Sequence, residues 1–271
     1  MVRISLAQRL SMAARLGLHA ERLKSVRALQ SVKERRERNL FAFEGPTLLE
    51  EAHASAFPIE ELYVTQEAYD RTPLVRELDG SGTPTFLVEA ASAARISDLA
   101  TPAGIVAIAP LRLRSLEEIF AVAGPAVVLA DVGDPANAGT LLRSADAFGV
   151  AGVISGSLGV DLFHPKVVRG SMGAIFRLRL AVGDPAAVAE AAAAAGVRLL
   201  GLATKGEPLD RERWTLPAAL VVGHERHGLG RWEGCCARLL GIPMTGSAES
   251  LSAAVAGSIA LYEATRQGLG R

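Results

Sequence analysis

The chain has 271 residues, 49% of them hydrophobic, with a formal net charge of zero and a positive mean hydropathy of +0.25. That length supports one large or two medium domains with real cores, and that composition excludes a mostly disordered protein. No apolar run reaches the roughly 18 residues of a membrane span, and Arg9 and Arg15 interrupt every stretch that could serve as a signal-peptide core. Cys235 and Cys236 are adjacent and cannot readily bridge to each other, which fits a reducing cytoplasm.

Neutrality hides an uneven distribution. Residues 1–40 hold ten Lys and Arg against three Glu, a surplus of +7 that the rest of the chain balances with −7. A basic arm of this kind suits a polyanion, although a solvated helix rich in Arg gives the same count. Arg22, Lys24, Arg27, Arg35, Arg36 and Arg38 are the arm's expected nucleic-acid contacts, joined by Arg169 further on.

Residues 1–40 read as helical, being charged and free of Pro. From Phe41 the pattern alternates. A short strand at 42–45 leads into a helix from Pro46 to about Ala54. Strands follow at 61–65, 85–88 and 104–109, with helices at 66–78 and 90–99, giving a small α/β domain over 1–110. Residues 111–124 read as a linker with a possible helix at 116–122. A second βα series starts at Pro125, with strands at 126–130, 152–155, 175–180, 198–203, 219–223 and 239–242. Its apolar strands indicate a parallel sheet. The Ala-rich stretch 186–195, opened by Pro185 and closed by Gly196, reads as a soluble helix, and the last helix as Leu251–Arg266.

Three segments carry the chemistry. Asp134-Pro135-Ala136-Asn137-Ala138-Gly139-Thr140-Leu141-Leu142-Arg143 follows a buried strand and opens a helix, an arrangement able to hold an anion. Gly223-His224-Glu225-Arg226-His227-Gly228-Leu229 is a turn with Gly at both ends and an acid inside, so a ligand can approach its backbone. Ile242-Pro243-Met244-Thr245-Gly246-Ser247-Ala248-Glu249-Ser250-Leu251-Ser252 precedes a small-sided helix, with Ser250 at the expected N-cap. His224 and His227 lack both H-E-x-x-H spacing and a third ligand, so no metal is expected. Gly228-Leu229-Gly230 is half a dinucleotide fingerprint, with Glu233 where its third Gly belongs.

In this order, the three segments resemble the motifs of the SpoU (TrmH-like) branch of the SPOUT RNA methyltransferases. The first two match D-P-x-N-x-G-x-x-x-R and G-x-E-x-x-G-L in full. The third matches I-P-M-x-G-x-x-E-S-L and then departs, with Ser252 where the family usually has Asn. Pro165–Ala174, Phe43–Ala52 and Thr101–Ile105 also resemble family segments, the last two from an N-terminal substrate-binding domain similar to the ribosomal protein L30e fold.

The resemblance implies an α/β domain with a deep trefoil knot over 125–271, an exception to unknotted topology. It implies S-adenosylmethionine held by Ala203, Thr204, Lys205, Gly223, His224, Glu225, Gly228, Ile242, Pro243, Met244, Ser250 and Leu251. Catalysis of ribose 2′-O-methylation falls to Arg143, Asn137, Glu225, Ser250 and Ser252. The expected partner is ribosomal RNA, with transfer RNA as the alternative. A homodimer is expected through the small residues Ala253, Ala254, Ala256 and Gly257 and the Arg143 helix. A catalytically impaired RNA-binding protein is the rival reading, and Ser252 is the only residue favouring it.

Overall fold

A computed structural model describes residues 14–16 and 21–269, which form two compact units, Met1–Leu111 and Arg112–Arg271. Arg3 and Arg9 of the basic arm lie outside the described residues.

The first unit is a mixed five-stranded sheet in the order β1-β4-β3-β5-β2, formed by β1 (Ala14–Leu16), β2 (Leu40–Glu44), β3 (Glu61–Val64), β4 (Thr85–Val88) and β5 (Ile105–Pro110). β5 runs antiparallel to β2 and β3, and β3 and β4 are parallel. Of the expected helical arm, α1 (Glu21–Ala28) and α2 (Val32–Arg38) are helices, Ala14–Leu16 is corrected to the strand β1, and residues 1–13 and 17–20 lie outside the described residues. α2 ends at Asn39, whose φ of 54° is a left-handed cap. Leu23, Val26 and Leu29 pack with Tyr63, Ala93, Ile96 and Ile108 in one core. Gly45, at φ 98°, turns β2 into α3 (Pro46–Ala54), which opens on Pro at its first turn. The single helix expected at 66–78 is two, α4 (Gln66–Arg71) and α5 (Pro73–Gly80), because Pro73 forces Thr72 into extended backbone. α6 (Ala90–Ile96) is shorter than expected.

Residues 111–124, read as a linker, hold α7 (Leu116–Phe120), which starts on a Ser115–Glu118 capping box. Its Ile119 and Phe120 belong to the core of the second unit. That unit is a parallel six-stranded sheet in the order β11-β9-β10-β6-β7-β8. Its strands are β6 (Ala126–Ala130), β7 (Gly152–Gly156), β8 (Arg179–Gly183), β9 (Arg198–Pro208), β10 (Ala218–Gly223) and β11 (Arg238–Gly241). The expected strand 175–180 is a 3-10 turn at Ala174–Phe176 followed by β8. Left-handed backbone at Met172 and Gly173 delays the strand until Arg179 can pair with Gly152. The helices are α8 (Pro135–Ala147), α9 (Pro165–Gly170), α10 (Pro185–Ala194) and α11 (Ala253–Ala264).

β6 is followed by β7 and β8 on one side, while β9 and β10 return on its other side. The loops after β6 and β10 therefore lie side by side at a switch point of the sheet. β9 also breaks register with β11, pairing Gly201 with Leu239 but Glu207 with Leu240. Residues 202–206 bulge out as a result, and Gly206 runs against the backbone at Leu240–Gly241, leaving no room for a Cβ.

Candidate functional site

Asp131 follows β6 directly and is held at φ 56°. Its carboxylate accepts from Arg231 Nε at 2.7 Å, Trp232 Nε1 at 2.9 Å and the Leu158 amide at 3.2 Å. Burial pushes its pKa up, but the bonds from Arg231, Trp232 and Leu158 outweigh burial and hold it below the usual carboxylate range. Sequence reasoning missed this clamp, because partners a hundred residues apart leave no local signal. Three residues on, Asp134 caps α8 by accepting from the Ala136 amide, and Pro135 fills its first turn. Asn137 follows on that turn.

β10 runs into a loop closed by reciprocal backbone bonds between His224 and Gly228, at 2.8 and 2.9 Å. A Cβ on Gly223 would stand 2.4 Å from the Gly228 carbonyl. Closure of the loop on itself therefore requires Gly223, where sequence reasoning credited ligand approach. Glu225 reaches from this loop to α8. It accepts from Asn137 Nδ2 at 2.8 Å, the Gly133 amide at 3.3 Å and the Asp134 amide at 3.4 Å. Burial raises its pKa, but Asn137 and backbone amides including Gly133 and Asp134 overcome that effect and keep it below the usual range. His224 Nδ1 accepts from the Arg226 amide at 3.0 Å, and the His224 and His227 rings lie 4.8 Å apart. Among the described residues no group of three or more His, Cys, Asp or Glu is placed to hold a metal.

A cavity of about 550 Å³ opens between this loop, the 202–206 bulge and the segment after β11. Ala203, Thr204, Lys205, Gly223, His224, Glu225, Gly228, Ile242, Met244, Ser250 and Leu251 all line it. Pro243 does not. Arg226, His227 and Glu233 line it too, and only their nearness to the second motif could have pointed to them.

Ser250 is not the N-cap of α11. Ser252 is, its hydroxyl accepting from the Val255 amide at 3.3 Å. The helix accordingly starts at Ala253 and not at Leu251. Cys235 and Cys236 are half-buried, and burial pushes the Cys236 thiol up to about 12.

Arg143 lies on the exposed face of α8, outside the cavity lining, and its guanidinium has no partner among the described residues. In the first unit Lys24, Arg27 and Arg36 are exposed. Arg22 ion-pairs with Glu61 at 2.7 Å and sits over the Phe86 ring, and Arg38 donates to the Ser25 carbonyl. Arg35 is a correction. It is buried, 2% exposed, and donates to the Leu29 and Gln30 carbonyls at 2.8 and 2.9 Å, closing the end of α1. A buried guanidinium spent on carbonyls does not reach RNA. Arg169, on α9, is half-buried. Pro46, Glu50, Ala103 and Gly104, from the two upstream family-like segments, border a second cavity of about 660 Å³ within the first unit.

The model of the SpoU rRNA Methylase family matches residues 124–262, and that of the MRM3-like substrate binding domain matches residues 20–107. The Bacillus subtilis 23S rRNA (guanosine(2553)-2'-O)-methyltransferase RlmP is 30% identical over 250 residues, covering 89% of this chain and 95% of its own. An AdoMet-bound rRNA methyltransferase from Sinorhizobium meliloti superposes with a TM-score of 0.84 at 28% identity, covering 94% of this chain and 98% of its own. The SpoU methyltransferase AviRb from Streptomyces viridochromogenes, in complex with AdoMet, gives 0.81 at 29% identity, over 93% of this chain and all of its own.

Proposed function

The chain belongs to the SpoU rRNA methylase family, and we infer that it transfers a methyl group from S-adenosylmethionine to a ribose 2′-hydroxyl of ribosomal RNA. One observation carries this reading above the others. The three family motifs, dispersed in the chain, converge on one cavity and its wall, tied by the Asn137–Glu225 bond.

The residues present fit the cofactor. A volume near 550 Å³ suits a nucleoside-sized ligand. Leu229, Leu240 and Ile242 give apolar walls for a base, while Lys205 and Glu233 supply opposite charges for a zwitterionic amino-acid end. Bound there, S-adenosylmethionine supplies an electrophilic methyl group on a sulfonium. The protein has little covalent work to do, because in-line placement of hydroxyl and methyl provides much of the rate. Glu225 fixes the loops after β6 and β10 against each other and so holds that placement. Arg143 is left free to bind the RNA. A guanidinium is a poor base in a protein, so the role assigned to Arg143 is to stabilise a phosphate or the developing oxyanion.

Ser252 supports an active enzyme. Its hydroxyl caps α11, a position that Ser and Asn serve about equally. The departure from the family pattern leaves this role intact.

The protein acts as a homodimer in the cytoplasm on this reading. The small face expected to pair is already used: Ala253, Ala254 and Gly257 are buried within the chain, and a Cβ on Gly257 would lie 2.4 Å from Leu141. The opposite face of α11, carrying Val255, Ile259 and Tyr262, is the apolar surface left for a second copy.

The test is methylation of a 23S rRNA transcript by wild type and Arg143→Ala, alongside calorimetry with S-adenosylmethionine. Wild type is expected to bind the cofactor and label the RNA. Arg143→Ala should bind it equally well and lose about 10²-fold or more in turnover, as when a preorganised oxyanion donor is removed. Near-normal turnover in the variant removes Arg143 from the reaction, and a wild type that binds no cofactor overturns the reading.

A further inference from the structure

We propose that Met172 is a contact residue for the substrate RNA, its thioether packing against a base of the RNA whose backbone Arg143 engages. This rests on the methyltransferase reading above and adds a residue to its RNA site.

Met172 stands where neither the backbone nor the core asks for it. α9 ends at Gly170, Ser171 forms its C-cap, and Met172 follows at φ 49° with its amide donating to the Arg169 carbonyl at 3.1 Å. That left-handed position after a helix is the one glycine fills most cheaply. Methionine is strained there. Its side chain is 46% exposed, so burial does not offset the strain. An exposed, strained apolar side chain points to a role outside the fold.

Its location supplies that role. Gly139, Arg143 and Asp146 follow one line along α8, at spacings of four and three residues. The chain around Met172 runs along this line. A Cβ on Gly139 would lie 2.9 Å from Gly170 Cα, so α8 and α9 are in backbone contact there. Arg177 then grips Asp146, with Nε and Nη2 donating to its carboxylate at 3.0 and 2.8 Å. Met172 lies between these two anchors in sequence, and Arg143 lies between them on the helix. A flexible, polarisable thioether on a segment anchored to α8 on either side of an unpartnered guanidinium matches a nucleotide, with base contact for the sulfur and phosphate contact for the cation. Single nucleic-acid strands are bound by this combination of a flat apolar contact and a positive charge.

The experiment compares wild type, Met172→Gly and Met172→Leu in steady-state methylation of a 23S rRNA transcript, with calorimetry for S-adenosylmethionine, thermal melts and light scattering. Met172→Gly is expected to keep or raise Tm, because the strain is relieved. It should keep cofactor affinity and raise KM for the RNA by about three- to tenfold, the worth of one sulfur–aromatic contact. Met172→Leu, which keeps the apolar bulk but not the sulfur, should recover only part of the wild-type KM. An unchanged KM for Met172→Gly overturns the proposal. A fall in mass from dimer to monomer also overturns it, by assigning Met172 to a protein interface. A wild type that methylates no ribosomal RNA overturns this inference and the proposed function together, whereas failure of the variant pattern alone leaves the function standing.

Discussion

Glu225 joins two segments 88 residues apart, and its charge is what joins them. A carboxylate accepts from all three donors at once, from Asn137 and the amides of Gly133 and Asp134. Its side chain is only 22% exposed, so solvent competes weakly for those bonds. The folded pKa lies below the ordinary Glu value, so ionised Glu225 stabilises the fold above the usual carboxylate range. The contribution is lost as pH falls through the depressed folded value. Glu225→Ala is therefore expected to cost on the order of 1–3 kcal/mol near neutral pH, the worth of hydrogen bonds to a charged group. The gap to wild type should begin to narrow as pH falls below the ordinary Glu value of about 4.3 and close only below the depressed folded value. Denaturant unfolding across pH measures it, and a gap of constant size would mean that the ionised carboxylate is not the latch. The motif spacing marks Glu225 and Asn137 as functional, but their mutual bond is not readable from sequence. It depends on β6 and β10 being neighbours, and sheet order is a non-local property.

At the scale of elements, helix ends are legible in the sequence where one residue dictates them. Pro46 and Pro185 open α3 and α10 at the expected places. They are poorly legible where two chemistries compete. Ser250 and Ser252 can both cap α11, and only the register of Val255 against Ser252 settles which does. Thr72-Pro73 breaks a helix that periodicity alone runs through. α11 also shows how packing overrides composition. Its small residues resemble a surface for a partner helix, yet they let α11 approach α8 and β10 of its own chain, with Gly257 against Leu141 and Val222. The outer face then carries Val255, Ile259 and Tyr262 at 47, 38 and 56% exposed, spaced four and three residues apart on one stripe. If this stripe closes the proposed dimer, Ile259→Arg should give a monomer by light scattering at micromolar concentration. Its Tm as a monomer should report an intact fold, since the substituted side chain touches solvent in the single chain. A dimeric mass for the variant would place the contact elsewhere.

For the molecule as a whole, neutrality is a balance between a basic start and an acidic remainder. The asymmetry is plain in the sequence, but which cations are available is not. Arg35 is spent inside the first unit, whereas Arg27 and Arg36 are exposed and have no ionic partner among the described residues. Two groups of one residue type, one closing a helix and one facing water, cannot be told apart by counting charge. The cavity proposed for the cofactor belongs to the second unit and these arginines to the first, so the two proposed functions are separable by substitution in the full chain. Arg27→Ala with Arg36→Ala removes two exposed charges and should leave calorimetric binding of S-adenosylmethionine unchanged. A phosphate that no cation neutralises keeps its counterions on binding, so the double variant should hold a 23S rRNA transcript more weakly at low salt. The slope of log affinity against log salt should become shallower by about 1.4–1.8, at roughly 0.7–0.9 per phosphate. The two proteins should converge at high salt, where the electrostatic share is screened. A slope equal to that of wild type would show that these arginines do not meet phosphate.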